Sequence, residues 1–432
     1  MTNADWQDRT RAALWHPCTQ MKHLEQVPPL PIARGEGPWL IDYDGRRYLD
    51  CIASWWVNLF GHAHPRISAA ITDQLARIEH VILAGCTHAP VVELSERLAL
   101  LTGLSHAFYG SDGASATEIA LKMSFHYWRN AGRPEKTGFV SLQNGYHGET
   151  LGALSVTDVA LFKHTYATLL RHTHQAMSPD ARLAAPGESA EARALRAAAS
   201  LESWLAEHAH ATAALILEPL VQGAAGMAMY HPIYLSCARE MCDRHRVHLI
   251  ADEIAVGFGR TGTLFACEQA GVRPDFLCLS KGLTGGYLPL SCVLTTDDIY
   301  AAFYDDATAR GFLHSHSYTG NPLACRAALA VLDIFEADDV IRTNRAKAAR
   351  FTGLLAPLAA HPRVEHFRSL GMIWAFDVRD AAPGFGMDFH RRALEMGLFL
   401  RPIGNTVYFM PPYVVEEEEM RLMASVVRRL LD

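Results

Sequence analysis

The sequence lacks the features of several classes of protein. None of its 432 residues belongs to an apolar run that approaches the length of a membrane span, and the first residues have neither the basic segment nor the apolar core of a signal peptide. A net charge of −7 argues against nucleic acid or an anionic membrane as a partner. The nine cysteines are scattered, odd in number and without a Cys-x-x-Cys pair, so we expect reduced, buried thiols in a cytoplasmic protein.

The order of apolar strands and helices predicts an α/β protein. Hydrophobic residues make up 50% of the chain, which is enough for a large core. Short apolar strands alternate with helices such as 114–131 and 234–245, and this order is typical of a mainly parallel sheet covered by helices. The predicted strands are Ala107–Tyr109, Gly138–Leu142, Ala214–Glu218, Val247–Asp252, Asp275–Ser280 and Ser291–Thr295.

We expect one large and one small domain. Residues 66–330 form the large domain, in which 175–211 is predicted to be a surface loop followed by an amphipathic helix without a catalytic role. Residues 1–65 and 331–432 form the small α/β domain. Its predicted elements are a hairpin within 36–50 that turns at Asp44-Gly45, strand Met372–Val378, helix Asp388–Met396 and strand Val407–Met410.

A carboxylate and a lysine stand at the ends of two predicted strands. Asp252 ends an apolar run, and Lys281 follows another that begins at Asp275. A pyridoxal phosphate (PLP) enzyme needs such a pair, because an aspartate keeps the pyridine nitrogen protonated and a lysine binds the aldehyde as a Schiff base. Each residue alone is also common as a helix cap or a surface side chain, but the apolar strand before Lys281 favours the cofactor interpretation.

Two further segments fit a bound PLP. Residues 110–118 are small and polar, follow a strand and open a helix, so their N–H groups can approach a phosphate. Such a run also caps ordinary helices. Residues 144–150 follow another strand and contain Tyr146, which can stack on a pyridine ring, although an ordinary turn with a packed tyrosine explains this segment as well.

Together these segments resemble the class III aminotransferases of PLP fold type I, and the resemblance extends from about residue 12 to about residue 425. It implies a large PLP-binding domain, a smaller α/β domain and a homodimer with shared active sites. The implied catalytic residues are Lys281, which binds PLP and moves the proton, Asp252, which pairs with the ring nitrogen, and Tyr146, which stacks on the ring. The other implied cofactor contacts are Gly113 and Ala114 at the phosphate, Ile254 under the ring, Glu218 nearby, and Ser317 from the neighbouring subunit.

Four segments point to one branch of this family: Trp15–Lys22, Ser54–Trp56, Asn144–Glu149 and Tyr408–Tyr413. They are similar to the branch of biotin biosynthesis that converts 8-amino-7-oxononanoate to 7,8-diaminononanoate, usually with S-adenosylmethionine as the amino donor. The acceptor has a long apolar chain that ends in a carboxylate, which calls for an aromatic wall and a cation. The implied substrate contacts are Trp55, Trp56, Tyr146, Lys281, Ser315, Arg401 and Tyr408. Either tryptophan alone could equally belong to the core.

Some positions depart from the family's pattern and leave the donor open. Cys18 replaces the usual tyrosine, and Ala255 replaces a glutamine that many members have. Segment 314–321 is more similar to a branch that uses lysine as donor, whereas Tyr408 matches the branch that uses S-adenosylmethionine. Aromatic faces attract a sulfonium, so we favour S-adenosylmethionine and keep lysine as the alternative.

Three other functions are less consistent with the sequence. Another class III ω-aminotransferase, acting on a diamine or an ω-amino acid, fits less well because of Trp55, Trp56 and Tyr408. A metal-dependent enzyme is suggested by 22 histidines, four pairs of which have the spacing His-x-His, but no nearby carboxylate or cysteine completes a ligand set. A non-catalytic binding module is disfavoured by the presence of both Lys281 and Asp252.

Overall fold

The structure is a computed structural model that describes all 432 residues. The helices are α1 Asn3–Ala13, α2 Ala53–Trp56, α3 Pro65–Leu75, α4 Ala89–Thr102, α5 Gly113–Asn130, α6 Leu151–Val156, α7 Ala160–Lys163, α8 Ala190–His208, α9 Ile233–His245, α10 Asp297–Ala301, α11 Pro322–Ala337, α12 Val340–Ala359, α13 Phe385–Glu395 and α14 Glu417–Leu431. The strands are β1 Ile32–Glu36, β2 Trp39–Asp42, β3 Arg47–Asp50, β4 His106–Gly110, β5 Gly138–Leu142, β6 His174–Ala176, β7 Thr212–Leu217, β8 Val221–Gln222, β9 Ala228–Met229, β10 His248–Asp252, β11 Phe276–Leu279, β12 Ser291–Thr295, β13 Val364–Leu370, β14 Ile373–Val378, β15 Leu398–Phe399 and β16 Thr406–Phe409.

The chain divides into two compact units, one formed by residues 66–345 and the other by residues 1–65 and 346–432. The division after residue 65 coincides with the expected boundary, whereas the second division lies after residue 345 instead of 330. The domain boundaries themselves remain a prediction.

Unit 66–345 contains a seven-stranded sheet with the order β4-β12-β11-β10-β7-β5-β6. Strands β11, β10, β7, β5 and β6 are parallel to one another, whereas β12 is antiparallel to both of its neighbours, β11 and β4. The predicted α/β fold with a mainly parallel sheet is therefore confirmed. Because parallel strands bring their carboxyl ends to one edge, the residues that follow β5, β7, β10 and β11 lie along the same edge.

Helix α5 covers one face of this sheet. Its apolar residues Ile119 and Met123 are buried in the same cluster as Ile250 of β10 and Phe276 of β11. Strands β7, β10 and β11 are buried along their whole length, which explains why they appear in the sequence as nearly continuous apolar runs. The core therefore fixes the position of each residue that follows these strands.

Unit 1–65 with 346–432 contains two smaller sheets, with the orders β1-β2-β3-β15 and β13-β14-β16. Strands β2 and β3 form the predicted antiparallel hairpin, in which Gly45 adopts a φ of +86°. A residue without a side chain is favoured at such a turn. Strand β15 joins the hairpin by parallel pairing with β3, so segments from both ends of the chain build this unit.

No helix combines the length and the apolar character that crossing a membrane requires. All nine cysteines are free thiols. Most are buried as expected, but Cys18 and Cys86 are exposed and Cys237 is partly exposed, so the expectation of buried thiols is wrong for these three.

Candidate active site

Asp252 stands at the carboxyl end of β10, between the parallel strands β7 and β11. Its side chain is buried, and Oδ1 accepts a hydrogen bond from the backbone N–H of Ile254 at 3.1 Å. Its Oδ2 lies 2.7 Å from Nδ1 of His147, which is also buried. An ionised carboxylate accepts the proton of that ring nitrogen, so the imidazole holds the Asp252 carboxylate in one orientation.

Lys281 follows β11, the neighbour of β10 in the sheet. Burial lowers the pKa of its ammonium from the usual 10.5 to about 8, against the opposing influence of the Asp252 and Glu218 carboxylates. The residue has a φ of +46°, a backbone conformation that non-glycine residues seldom adopt and that is enriched at functional sites. Because of the lowered pKa, the neutral amine that a nucleophile or a general base requires is far more abundant near neutral pH than in an ordinary lysine.

Glu218 follows β7 at the same edge of the sheet and is buried. Its carboxylate accepts hydrogen bonds from the backbone N–H groups of Tyr146 at 3.0 Å and Gly223 at 2.9 Å. Burial raises its pKa to about 7. Glu218 thus fixes the backbone of the loop after β5, while the Tyr146 hydroxyl donates to Glu149 at 2.9 Å.

The amino end of α5 has the form of an anion site. Asp112 caps the helix by accepting from the N–H of Ser115 at 2.9 Å, and the first amides of a helix have no partner within the helix. Gly113 packs so closely on Ile254 that an added Cβ would lie 2.9 Å from its Cγ2. In the same way, a Cβ on Gly148 would lie 2.6 Å from that of Ala114. Small residues at 113 and 148 therefore allow this close approach.

Ser315 and Ser317 are exposed on the segment between a short 3-10 helix, Thr308–Arg310, and helix α11. The histidine between them, His316, lies with Nδ1 3.2 Å from the Ser111 hydroxyl, just before the capped start of α5. The structure thus brings this segment near the candidate phosphate site of its own chain. The role of Ser317 in a neighbouring subunit stays a prediction.

The predicted substrate residues Trp55, Trp56, Arg401 and Tyr408 all belong to the other unit. Trp56 is buried and donates from Nε1 to the Tyr408 hydroxyl at 3.0 Å. Trp55 is 46% exposed, and the Arg401 guanidinium lies over its ring, 5.3 Å from the centroid. These four residues therefore form one contiguous group. Burial raises the pKa of the Tyr408 hydroxyl in this group.

Arg401 also lines a cavity of about 640 Å³ within this unit. Its walls include Cys18 and Gln20 from the N-terminal segment and His390 from α13, and no aspartate or glutamate is among them. His390 lies with Nδ1 2.7 Å from the carbonyl oxygen of Leu400, the residue before Arg401. A cavity with a cation and without acidic residues suits a carboxylate ligand.

The sequence did not reveal the role of His147, although the residue lies in the segment 144–150 that was singled out. Two features of the sequence could have indicated it. His147 follows the loop tyrosine Tyr146, and the buried carboxylate of Asp252 needs a hydrogen-bond donor. No group of three or more His, Cys, Asp or Glu side chains is placed to hold a metal ion.

Comparisons with known proteins agree with this geometry. The model of the family "Aminotransferase class-III" matches residues 20–431. An adenosylmethionine-8-amino-7-oxononanoate aminotransferase of Helicobacter pylori is 44% identical over 97% of this chain and 96% of its own length. The enzyme of the same name from Geobacter sulfurreducens is 41% identical over 98% of this chain and 96% of its own length.

Solved structures of aminotransferases are also similar to this chain. The crystal structure of the Methanocaldococcus jannaschii enzyme of that name has a TM-score of 0.93 and 36% identity, and covers 99% of this chain and 98% of its own. An omega transaminase of Pseudomonas jessenii in complex with PMP has a TM-score of 0.94 and 29% identity, with coverage of 99% and 97%. The chain therefore belongs to the class III aminotransferases.

Proposed function

We propose that this protein transfers an amino group to 8-amino-7-oxononanoate, giving 7,8-diaminononanoate, with S-adenosylmethionine as the donor. The observation that carries the proposal is the group formed by Asp252, His147, Glu218 and Lys281 at one edge of the parallel sheet. Relatives that are 41% and 44% identical over nearly the whole chain, and that have this activity in their names, support the choice of substrate.

The residues of unit 66–345 fit PLP as the cofactor. The phosphate would bind at the start of α5, where the backbone amides of Gly113 and Ala114 belong to the first turn and have no partner within the helix. The buried Asp252 carboxylate would bind the pyridine nitrogen, with Ile254 and Tyr146 against the ring faces and Glu218 nearby. When bound, PLP supplies an aldehyde that accepts the amino group and a ring that absorbs the negative charge of the reacting carbon.

Lys281 would hold the cofactor's aldehyde carbon and then act as the proton carrier. Its Nζ, which is more easily neutral than that of an ordinary lysine because burial lowers the pKa to about 8, would take the proton from the amine-bearing carbon of the donor. The ammonium formed in this way would deliver that proton to the carbon that carried the aldehyde, and in the second half of the reaction Nζ would carry a proton from that carbon to the acceptor. A side chain with a pKa near the working pH can perform both transfers.

Asp252 and His147 work as a fixed pair in this account. Asp252 presents a buried negative charge, which keeps a bound ring nitrogen protonated. His147 donates to the same carboxylate, and its own backbone N–H is bound by the Thr157 hydroxyl at 2.9 Å, so the carboxylate cannot turn away. His147 is thus a positioning residue for Asp252.

Arg401 is proposed to bind the carboxylate of 8-amino-7-oxononanoate. Its guanidinium lies over Trp55, and Arg401 lines a cavity that has no acidic residue. The aromatic rings of Trp55, Trp56 and Tyr408 offer apolar surface for the aliphatic chain of the acceptor. Ser315 is a further candidate contact, from the loop before α11.

We propose that S-adenosylmethionine, rather than lysine, is the donor. The exposed aromatic face of Trp55 suits a sulfonium, and the group formed with Trp56, Arg401 and Tyr408 contains no carboxylate for the ammonium of lysine. The test is the half-reaction of the PLP-loaded protein with each donor, followed by the absorbance of the bound cofactor. Conversion by S-adenosylmethionine and not by lysine supports the proposal, and the opposite result refutes the choice of donor but leaves the aminotransferase function intact.

The working form is proposed to be a homodimer in which Ser317 of each chain contributes to the cofactor site of the other. The exposure of Ser317 in the single chain is consistent with such a contact. Sedimentation at assay concentration should show no active monomer. A fully active monomer would rule out shared sites.

A further inference from the structure

Residues Ala53–Trp56 form a single turn of left-handed backbone. Their φ angles are +49°, +47°, +73° and +72°, and none of the four is glycine. Residues with a Cβ usually visit this region singly, because the Cβ is forced close to a carbonyl oxygen. Such a conformation persists only when the surroundings hold it in place, and it is often found at functional sites.

The Asp50 carboxylate is the main contact that holds this turn. It is fully buried at the end of β3 and accepts hydrogen bonds from both the backbone and the side chain of Ser54. Oδ1 accepts from the N–H of Ser54 at 3.0 Å and from that of Ile52 at 3.3 Å, while Oδ2 accepts from the Ser54 hydroxyl at 2.7 Å. A buried carboxylate with several donors forms strong, charge-assisted hydrogen bonds, so it fixes Ser54 firmly.

His62 fixes the carboxylate from the other side. Its Nε2 lies 3.1 Å from Asp50 Oδ2, and its Nδ1 lies 3.3 Å from the amide nitrogen of Asn58. An amide nitrogen can only donate, so Nδ1 of His62 accepts and the ring proton is on Nε2, facing Asp50. The backbone of His62 is in turn paired with Gly37 through two hydrogen bonds of 2.7 and 3.2 Å.

The turn orients the indole rings of Trp55 and Trp56 towards different partners. Trp56 points into the core and donates to Tyr408, whereas Trp55 remains exposed beneath the Arg401 guanidinium. If the φ of Ser54 or of Trp55 became negative, at least one of these rings would move away from its partner. The left-handed turn is therefore what assembles the group of Trp55, Trp56, Arg401 and Tyr408.

We propose that Asp50 is a positioning residue that determines binding of the acceptor substrate, by holding the Ala53–Trp56 turn through Ser54 and with the support of His62. This inference rests on the proposed function, in which Trp55 and Trp56 contact the aliphatic chain of 8-amino-7-oxononanoate. Asp50 itself touches neither substrate nor cofactor. Its loss should weaken acceptor binding and leave cofactor binding unchanged.

The test compares Asp50→Asn and Ser54→Ala with the wild-type PLP-loaded protein. Asparagine keeps the size of the side chain but presents an amide N–H where His62 also donates, and alanine removes only the hydroxyl contact. We expect KM for the acceptor to rise about tenfold in D50N and about threefold in S54A, with kcat within about threefold of wild type and an unchanged cofactor spectrum. An unchanged KM in both variants, or a loss of kcat and cofactor without a change of KM, would overturn the proposal.

A rescue experiment separates positioning from general stability. Ala53→Gly removes the Cβ that opposes the positive φ, so in combination with D50N it should reverse most of the rise in KM. Ala238→Gly, a buried position in the ordinary helix α9, serves as the matched control and should restore nothing. Equal rescue by both glycines, or by neither, contradicts the proposal.

A spectroscopic measurement keeps the inference separate from the proposed function. Protein labelled with 5-fluorotryptophan gives ¹⁹F resonances for the two rings, which are assigned with Trp55→Phe and Trp56→Phe. We expect both resonances to shift in D50N and to return in the double variant with Ala53→Gly. If the wild type does not aminate 8-amino-7-oxononanoate, the proposed function fails, yet these resonances still decide whether Asp50 positions the turn. Unshifted resonances in D50N contradict it.

Discussion

His147 Nδ1 lies 2.7 Å from Asp252 Oδ2, and both side chains are buried. The contact connects the loop after β5 to the carboxyl end of β10, two segments that are not neighbours in the sheet, since β7 lies between them. It fixes the orientation of the Asp252 carboxylate, which the proposed function requires at the ring nitrogen of PLP.

Asp252→Asn should lower kcat by about a hundredfold or more, roughly 3 kcal/mol, because a neutral amide cannot keep the cofactor's ring nitrogen protonated. His147→Ala should lower kcat by about tenfold, since the Asp252 carboxylate remains but loses its fixed orientation. His147→Asn supplies a donor at a similar position and should recover part of the loss. Steady-state turnover checks the three variants, and equal activity of H147A and wild type would show that the histidine has no positioning role.

Lys281→Ala should abolish turnover while still allowing PLP to bind without a covalent bond, through the phosphate site at the start of α5. Borohydride treatment followed by mass spectrometry should find the cofactor fixed to Lys281 in the wild type and nowhere in the variant. Turnover of the variant within an order of magnitude of wild type would contradict the assignment.

The pH dependence of cofactor capture tests the environment of the same lysine. Burial lowers its pKa from 10.5 to about 8, so the neutral amine becomes the major form above about pH 8. The rate at which the PLP-free protein captures PLP should therefore rise with pH and level off just above 8. A rate that continues to rise towards pH 10.5 would mean that the amine is in an ordinary, solvated environment.

Arg401→Ala should raise KM for 8-amino-7-oxononanoate about 5- to 30-fold, or roughly 1–2 kcal/mol, because the guanidinium is exposed and its pairing with a carboxylate is partly screened. Arg401→Lys keeps the charge but loses the planar contact with Trp55 and should recover only part of the binding. The half-reaction with the donor is the internal control and should change little. Unchanged KM in R401A would assign the carboxylate to another cation.

Lys136 is predicted to stabilise the fold without a catalytic role. It is buried, and its Nζ donates to the carbonyl oxygens of Ala209, Thr212 and Arg246 at 2.6, 2.9 and 2.8 Å. Lys136→Met fills the same space but leaves three carbonyls without their donor, so it should lower the free energy of unfolding by about 2–4 kcal/mol. Denaturant unfolding checks this, with the exposed Lys22→Met as control, and similar stability of both variants contradicts the prediction.

Local patterns were sufficient to predict strands of the large unit and a hairpin of the small one. The apolar runs that became β10 and β11 predicted strands with Asp252 and Lys281 at or just after their ends, because buried parallel strands leave a clear signal in the sequence. The hairpin turn at Asp44-Gly45 was predicted from turn chemistry alone. The class of fold followed from these elements.

Features that depend on distant contacts were not predicted. His147 and Asp252 are far apart in the sequence, and neither residue type indicates the other. The left-handed turn at Ala53–Trp56 contradicts the intrinsic preference of each of its residues and exists because Asp50 and His62 hold it. Such tertiary effects override local propensity, so only the folded structure reveals them.

The most direct test is to incubate the PLP-loaded protein with 8-amino-7-oxononanoate and S-adenosylmethionine and to follow 7,8-diaminononanoate by mass spectrometry, beside parallel reactions with other keto-acid acceptors. The account predicts that the diamine forms with a kcat/KM at least about a hundredfold above that for any other acceptor, and that Lys281→Ala forms none. Transfer to other acceptors without formation of 7,8-diaminononanoate from either S-adenosylmethionine or lysine would contradict the account.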